Sequence, residues 1–525
     1  MNRYDAVVIG AGHNGLVAAA YLAKAGRRVL VLERAEEVGG VARTVEIAPG
    51  YRAPAFLNTV GGLRRSVVRD LSLASHGLRV VRPEVAAFAP DPDGGGIALH
   101  RDRDVAAEAI KARSPRDAEG YEKLDRRVRS VASFLAYVAA AVPPDVERPS
   151  LSDAMTGLTL GRAFRRLGER PRREALRMLP MPAADLVGDF VQNDLLRALL
   201  AARGVALTAM GPWAAGSGAW LLLRSVVGGG VAGDTAYAIG GPGALSDALA
   251  SAALGFGAEI RTDAEVALVA TRGGRARGVV LGTGQEIEAR VVVSAADPKR
   301  TLGLLAPEIA GPTLLWRGRN LRAPGSVAKV NLALDGAPPF EGIQDPGALA
   351  GRIVIGDGID HLEKAADDFK YGRISEAPFL EVTIPTFSDP SLAPEGGHVV
   401  SALFHSAPYE LRKGRWDKRA RDRVADRTLK ALERYAPGLS DRVVGRQVLA
   451  PPDLEGEFGV TNGSGLHLEP GLDQFFAWRP LLGHARYRFA IPGLYLAGSG
   501  AHPGGGITGA PGANAARQIL RDLRR

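Results

Sequence analysis

The chain of 525 residues contains no cysteine. It therefore cannot form a disulfide framework, a thiolate metal site or the redox dithiol that a disulfide reductase needs. Its 9 histidines show no HExxH or paired-histidine spacing, so a metal site is not predicted. No GxSxG sequence marks a nucleophile elbow, and no uncharged apolar stretch reaches the ~18 residues that a membrane-spanning helix needs.

Glycine, by contrast, is abundant. In the N-terminal segment, glycines have the spacing that is typical of a dinucleotide-binding site. An apolar strand ending at Ile9 leads into Gly10-Ala11-Gly12-His13-Asn14-Gly15, and an apolar helix pattern follows. Gly10 permits a tight turn, Gly12 lets a pyrophosphate approach the backbone, and Gly15 lets the helix pack closely on the strand. Free N–H groups at the helix N-terminus attract phosphate, with His13 and Asn14 beside them.

Glu33 completes this pattern at the end of the next apolar strand, Arg28 to Leu32. At this distance from the glycines, a carboxylate is placed to accept hydrogen bonds from an adenosine ribose. The unit predicts a dinucleotide cofactor, but by itself it does not separate NAD from FAD.

Two further glycine-rich segments favour FAD. The doublet Gly39-Gly40 follows Glu33 closely and lets the backbone pass near an extended anionic ligand. Near the C-terminal end, a strand from Gly493 enters a second glycine-rich turn and a small-residue helix, which can hold the ribityl chain and ring. The predicted contacts in these two segments are Arg34, Gly40, Val41, Ala42, Arg43, Gly498, Gly506, Ile507 and Thr508.

These blocks, with the middle segment Gly240 to Leu249, resemble the phytoene desaturase-related FAD-dependent oxidoreductases. The likeness covers nearly the whole chain and is less clear between about Arg101 and Arg203. It implies an α/β fold: a Rossmann-type, monoamine-oxidase-like FAD-binding domain with an interleaved α+β substrate domain and a helical cap. It also places Val266 at the adenine edge and Ala295 behind the cofactor.

We expect the domains to interleave. Residues 1–90, 236–300 and 485–525 form the predicted FAD-binding domain. Residues 91–235 and 301–484 form the predicted substrate domain with its cap. A long helical stretch within the cap carries Leu124, Val128, Val131 and Leu135 at helical spacing, which predicts a core stripe.

Two residues are candidates for catalysis. His502, in the second glycine-rich turn, either orders that loop or takes part in proton transfer or substrate placement, since imidazole titrates near working pH. Arg479 either forms a core salt bridge or stabilises negative charge on the flavin. In the second case the neighbouring aromatic residues would line an apolar cavity; they are Phe475, Phe476 and Trp478.

The expected function is hydride transfer from an apolar or amphipathic small molecule to FAD. A polyene isomerase or saturase, and a flavoprotein kept for partner binding, are the alternatives. Gly240-Gly241-Pro242-Gly243 lacks the spacing of a second nucleotide turn, and its proline removes a needed N–H. Oxygen, a quinone or another diffusible compound is therefore the expected electron acceptor.

The formal net charge is +9, with a basic run from Arg162 to Arg173. A solvated helix face explains such a run, and contact with anionic lipid headgroups at a membrane surface is the alternative. No nucleic-acid recognition module accompanies the charge. No secretory signal precedes the first strand at Tyr4, so a cytoplasmic location is expected.

Overall fold

A computed structural model of the protein describes residues 4–227, 229–343 and 345–524. The expected domain limits at residues 1 and 525 lie outside these ranges. Within them, the chain forms two large sheets and two short strand pairs. The short pairs join Thr44–Ala48 to Tyr51–Pro54, and Val80–Val81 to Tyr237–Ala238.

The first sheet is built around the N-terminal strand Tyr4–Ile9, which has parallel neighbours on both sides. The strand Val29–Leu32 is buried at every position, as expected for a parallel strand that is covered on both faces. In spatial order the strands are Val266–Arg272, Arg275–Leu281, Glu286–Ser294, Tyr4–Ile9, Val29–Leu32 and Glu259–Arg261, and Leu494–Leu496 pairs in parallel with Glu286–Ser294.

Small residues let helices approach one another closely beside this sheet. The helix His13–Lys24 is buried over most of its length and packs against Pro242–Gly255 and Ala510–Leu523. A Cβ added at Gly512 would lie 2.2 Å from the Asn14 carbonyl oxygen. The C-terminal helix therefore touches the first turn of the N-terminal helix, which brings the two glycine-rich segments together.

The second sheet is mainly antiparallel. In spatial order its strands are Val443–Leu449, Val327–Leu334, His398–His405, Leu380–Thr383, Arg352–Ile355, Val85–Pro90 and Gly96–His100. The strand Val85–Pro90 runs parallel to Arg352–Ile355 and is buried at every position. The expected domain boundary at residue 90 thus falls at the end of a strand that pairs in the second sheet.

A helical layer covers one side of the second sheet. Its helices are Arg103–Lys111, Pro115–Ala140, Leu151–Arg166, Glu169–Met178, Ala183–Gly188, Asp194–Ala201 and Ser217–Val227. The helix Pro115–Ala140 buries Leu124, Val128, Val131 and Leu135, which confirms the predicted core stripe. Among the described helices, none is both long and apolar enough to cross a bilayer.

Further helices lie between the strands along the chain. They are Arg65–Asp70, Pro298–Gly303, Pro307–Ala310, Pro312–Arg319, Ile359–Lys370, Lys418–Glu433 and Pro451–Phe458. Several begin with proline, since the N–H that proline lacks has no partner in a first turn.

Candidate active site

The N-terminal glycine turn has the geometry that a bound pyrophosphate requires. Gly10 has a φ of +92°, which favours glycine. A Cβ added at Gly15 would lie 2.1 Å from the Gly10 carbonyl oxygen, so a side chain would force the helix away from the strand. Gly12 precedes the helix, and a Cβ added there would meet no described atom within 4 Å. The backbone at Gly12 is open to a ligand.

Glu33 is held against this turn by the backbone. Its Oε2 accepts a hydrogen bond from the N–H of Ala11 at 2.7 Å, and its Oε1 accepts one from the N–H of Ala35 at 3.1 Å. The N–H of Glu33 donates to the carbonyl of Arg261 at 2.9 Å. The carboxylate is therefore fixed beside the glycine turn, where the sequence predicts a ribose contact.

The glycine doublet packs directly on the turn. The N–H of Gly39 donates to the Ala11 carbonyl at 2.9 Å, and a Cβ added at Gly40 would lie 3.4 Å from the Cα of Gly12. Both glycines have positive φ angles, +117° and +55°. This return of the chain brings Val41 and Arg43 to the same site.

Two arginines join this segment to the helix Pro451–Phe458. Arg34 donates to the carbonyls of Gly456 and Glu457 at 2.6 and 3.1 Å. Arg43 lies 2.5 Å from the Glu457 carboxylate and 5.0 Å from the ring centre of Phe458. Within the described residues, Arg43 Nε has no hydrogen-bond partner, so this cation can still bind an anion.

Two buried polar residues at the site also carry atoms without partners in the described part of the chain. These atoms are His13 Nε2 and Asn14 Oδ1, while Asn14 Nδ2 donates to Ser499 Oγ at 3.1 Å. Burial and the neighbouring His467 lower the pKa of His13 to about 4, and burial lowers the pKa of His467 to about 4. Both rings are neutral at pH 7. Unpartnered buried polar atoms of this kind indicate a polar ligand.

These residues line a cavity of about 400 Å³, the cofactor cavity. The predicted residues on its wall are Gly10, Gly12, His13, Asn14, Gly15, Glu33, Arg34, Gly40, Val41, Arg43, Val266 and Ala295. The predicted residues Ala42 and Gly498 do not line it. The Ala42 carbonyl accepts a hydrogen bond from Ser246, and a Cβ added at Gly498 would lie 2.3 Å from the Ala295 carbonyl oxygen.

A second cavity of about 550 Å³, the inner cavity, lies beside the C-terminal glycine-rich turn. Gly506, Ile507 and Thr508 line it, as do apolar side chains of several other segments: Leu57, Leu207, Trp220, Leu223, Leu403 and Leu466. Leu466 and His467 are consecutive in the chain and line the inner and the cofactor cavity, respectively. The two cavities therefore adjoin.

Arg479 is 1% exposed and lies on the wall of neither cavity. Its guanidinium donates to five backbone carbonyls, at Leu466, Leu468, Glu469, Gln474 and Ser499, over 2.8–3.4 Å. Burial lowers its pKa to about 10, so it is charged at pH 7. Its Nε would lie 3.3 Å from a Cβ added at Gly504, which lines the inner cavity. Arg479 thus holds the loops behind the predicted flavin turn, and its effect on flavin stays a prediction.

His502 is fully buried and also lies off both cavity walls. Its Nε2 is 2.9 Å from the Val138 carbonyl, and its ring meets Phe475 and Phe476 edge to face. Burial lowers its pKa to about 3, so the ring is neutral. These contacts order the turn, and a part in proton transfer stays a prediction.

The predicted aromatic lining does not include Trp478, which is 49% exposed and lines neither cavity.

Sequence reasoning missed the walls that distant segments contribute. Glu457, Phe458 and Gly459 close the cofactor cavity. The end of their helix at a glycine is visible in the sequence, but no local pattern places it near the cofactor turn. Arg203, Arg224 and Glu381 line the inner cavity. They come from three separate segments, so no local sequence motif contains them.

Residues 15–520 match the family of flavin containing amine oxidoreductases, and the chain belongs to that family. It is an FAD-dependent oxidoreductase. It is 37% identical to pyridine nucleotide-disulfide oxidoreductase domain-containing protein 2 of Rattus norvegicus, over 99% of this chain and 94% of the relative. It is 28% identical to prolycopene isomerase 1, a chloroplastic protein of an Oncidium hybrid cultivar, over 99% of this chain and 84% of the relative.

An oxidoreductase from Methanosarcina mazei has a similar fold, with a TM-score of 0.61, 18% identity, and coverage of 99% of this chain and 100% of that one. These findings confirm the predicted resemblance, fold class and cofactor.

The residues present fit FAD. Glu33 would bind the adenosine ribose, the backbone at Gly12 and the guanidinium of Arg43 would hold the pyrophosphate, and Asn14 Oδ1 offers an acceptor beside them.

Proposed function

We propose that this oxidoreductase takes hydride from an apolar or amphipathic small molecule bound in the inner cavity. The observation that carries the proposal is the position of that cavity. It adjoins the cofactor cavity at Leu466 and His467, and its wall includes the C-terminal glycine-rich turn. Bound FAD supplies the two-electron acceptor. The protein therefore has mainly to bind and orient the substrate and to exclude water from it.

The chain's own residues suit that task. Leu57, Leu223 and Leu403 give the inner cavity an apolar wall, which binds a hydrocarbon body and excludes water. Gly504, Gly505 and Gly506 leave the turn without side chains, so a ligand can approach its backbone. The buried histidines near the turn are neutral, so they neither repel nor attract charge at pH 7.

Anaerobic mixing tests the proposal. The holoprotein is mixed with cyclic and linear alkenes and their amphipathic derivatives while the visible absorption of FAD is followed. We expect at least one compound to bleach the FAD band. Leu223→Trp should keep FAD but lose the bleaching, because the larger ring fills the inner cavity. Leu254→Trp, at a residue that is 52% exposed away from the cavity, is the matched control.

The products separate the alternatives. Isomerisation of a polyene without net bleaching would favour an isomerase, and consumption of electrons from photoreduced FAD by an alkene would favour a saturase. Photoreduced protein that is indifferent to oxygen, quinones and alkenes alike would favour a partner-binding role. Fold alone does not choose among these.

We propose oxygen, a quinone or another diffusible compound as the electron acceptor. The sequence contains one strand, glycine turn and helix unit with the dinucleotide spacing, and Glu33 belongs to it. NADH and NADPH should therefore reduce the bound FAD slowly or not at all. Stopped-flow reduction that saturates at micromolar NADPH would contradict this proposal.

We also propose a peripheral contact with anionic membranes through the helix Leu151–Arg166. Leu151, Met155 and Leu158 are spaced for one face and are 87%, 68% and 61% exposed. The basic run from Arg162 to Arg173 adjoins this apolar face, a combination that suits a lipid surface with anionic headgroups.

Vesicle sedimentation tests the membrane contact. The protein should bind phosphatidylglycerol vesicles more strongly than phosphatidylcholine vesicles, and high salt should weaken the binding. Changing Leu151, Met155 and Leu158 together to serine should abolish it, whereas Leu254→Ser, at another exposed leucine, should not. Equal binding of the triple variant and the parent would contradict the contact.

A further inference from the structure

Cationic side chains cluster at the end of the inner cavity formed by the helical layer and the second sheet. Arg203 follows the helix Asp194–Ala201, Arg224 lies on Ser217–Val227, and Arg352 lies on Arg352–Ile355. Arg203 and Arg224 line the cavity, and so does Glu381 on the neighbouring strand. Arg203, Arg352 and Glu381 are 5%, 4% and 6% exposed, so water does not screen their charges strongly.

The cluster contains more positive than negative charge. Glu381 pairs with Arg352 at 3.2 Å and also attracts Arg203 and Arg224, so a single carboxylate faces three guanidiniums. Arg203 donates to the neutral carbonyls of Arg224 and Ala232, at 2.8 and 3.5 Å. The other acid on the cavity wall, Asp234, is already 2.5 Å from Arg101 and 3.5 Å from Arg82.

The surrounding titratable residues add no negative charge. His405 stacks on Phe379 with the ring centres 4.2 Å apart, and burial lowers its pKa to about 4. Lys329 donates to Asn58 and Ser401, and burial lowers its pKa well below the ordinary value. Tyr237 donates to the Ala350 carbonyl, and burial raises its pKa.

Donor groups in the cluster are also unused. Among the described residues, Arg203 Nε, Arg224 Nη1 and Arg352 Nη2 are buried and have no hydrogen-bond partner. A buried guanidinium N–H without an acceptor is costly, because it has lost its hydration without gaining a partner. Neighbouring guanidiniums with free N–H groups form the geometry that binds a carboxylate by several charge-assisted hydrogen bonds.

We propose that the inner cavity binds an organic acid, with its carboxylate at Arg203 and Arg224 and its apolar body along Trp220 and Leu223 toward the turn at Gly504. This inference rests on the proposed function, because it names the substrate class of the same cavity. It excludes a neutral hydrocarbon as the preferred ligand of this chain and gives the amphipathic substrate a fixed direction.

Binding of a matched pair of probes tests the proposal without turnover. Decanoate and decanamide have the same chain and differ in charge at one end. Their binding to the holoprotein is measured by calorimetry and by the shift of the visible FAD spectrum. We expect one decanoate per chain, bound about tenfold or more tightly than decanamide, the scale of a charge-assisted hydrogen bond. Equal affinities would overturn the proposal, and this result needs no variant.

The variant Arg224→Gln tests whether the carboxylate of decanoate binds at Arg224. It should lower decanoate affinity to the level of decanamide and leave decanamide affinity unchanged, while Arg224→Lys should restore part of the preference. Arg116→Gln, at an exposed arginine of the helix Pro115–Ala140, is the control. FAD content and thermal unfolding are recorded for each variant. A full preference in Arg224→Gln with normal FAD content would overturn the assignment.

The two proposals fail separately. Selective decanoate binding without oxidation of any compound would contradict hydride transfer but support the carboxylate site. Oxidation of neutral alkenes with no preference for decanoate would support hydride transfer and overturn the carboxylate site.

Discussion

The Glu33 carboxylate accepts a hydrogen bond from the backbone N–H of Ala11, with 2.7 Å between Oε2 and N. One side chain thus ties the end of the second strand to the centre of the glycine turn. Its other oxygen accepts from Ala35, at the start of the segment that leads to the glycine doublet. The residue that is predicted to bind the ribose therefore also organises the turn that would hold the pyrophosphate.

Glu33→Ala should weaken FAD binding by ~1–3 kcal/mol, because both the ribose contact and the support for the turn are lost. Titration of the apoprotein with FAD measures the change. Glu36→Ala, at an exposed glutamate three positions further on, should bind FAD like the parent. Unchanged affinity in Glu33→Ala would remove Glu33 from the site.

Two glycine variants should separate folding from cofactor binding. Gly15→Ala should lower the free energy of unfolding of the apoprotein by roughly 1–3 kcal/mol, since its Cβ would lie 2.1 Å from the Gly10 carbonyl oxygen. Gly12→Ala should leave that free energy nearly unchanged but weaken FAD binding, because its Cβ would enter the cofactor cavity. Chemical unfolding and FAD titration check the pair, and equal effects of both changes on unfolding would contradict the geometry.

Glu469 should make stability depend on pH near neutrality. Burial raises its pKa from 4.5 to about 7, against the lowering effects of the Ala209 N–H, Arg322 and Arg479. Between these values the folded state keeps a proton that the unfolded state has lost, so stability falls as pH rises through this window. Relative to Glu469→Gln, which does not titrate, the parent should lose up to about 3 kcal/mol from pH 4.5 to pH 7. Parallel unfolding curves for the two proteins across this range would contradict the raised pKa.

Arg479→Ala should act on both the fold and the flavin. Five carbonyls lose their donor, so the melting temperature should fall, while FAD should stay bound through its adenosine half. Removal of a buried cation behind Gly504 should also lower the reduction potential of bound FAD. A redox titration measures this change. A lower melting temperature with an unchanged potential would assign Arg479 to structure alone.

The parts of the site that could be predicted from the sequence are those whose physics is local. A tight turn, a close helix and a carboxylate at the end of the second strand each need one residue type at a fixed distance, so the sequence identifies Gly10, Gly15 and Glu33. Arg479 was harder to interpret, because a buried cation can bind either a ligand or carbonyls. The sequence does not indicate the arginine cluster, because Arg203 and Arg352 come close together only when the helical layer packs on the second sheet.

The first sheet draws its strands from residues 4–32, 259–294 and 494–496. A ribosome that adds about 5–20 residues per second needs on the order of ten seconds or more to pass from Ser294 to the strand Leu494–Leu496. During that time the end of Glu286–Ser294 is paired in parallel with Tyr4–Ile9 but lacks its second parallel neighbour, Leu494–Leu496, and the helix Ala510–Leu523 has not been made. A nascent chain that stops before this strand therefore lacks part of the cofactor cavity, whose wall includes Ser499.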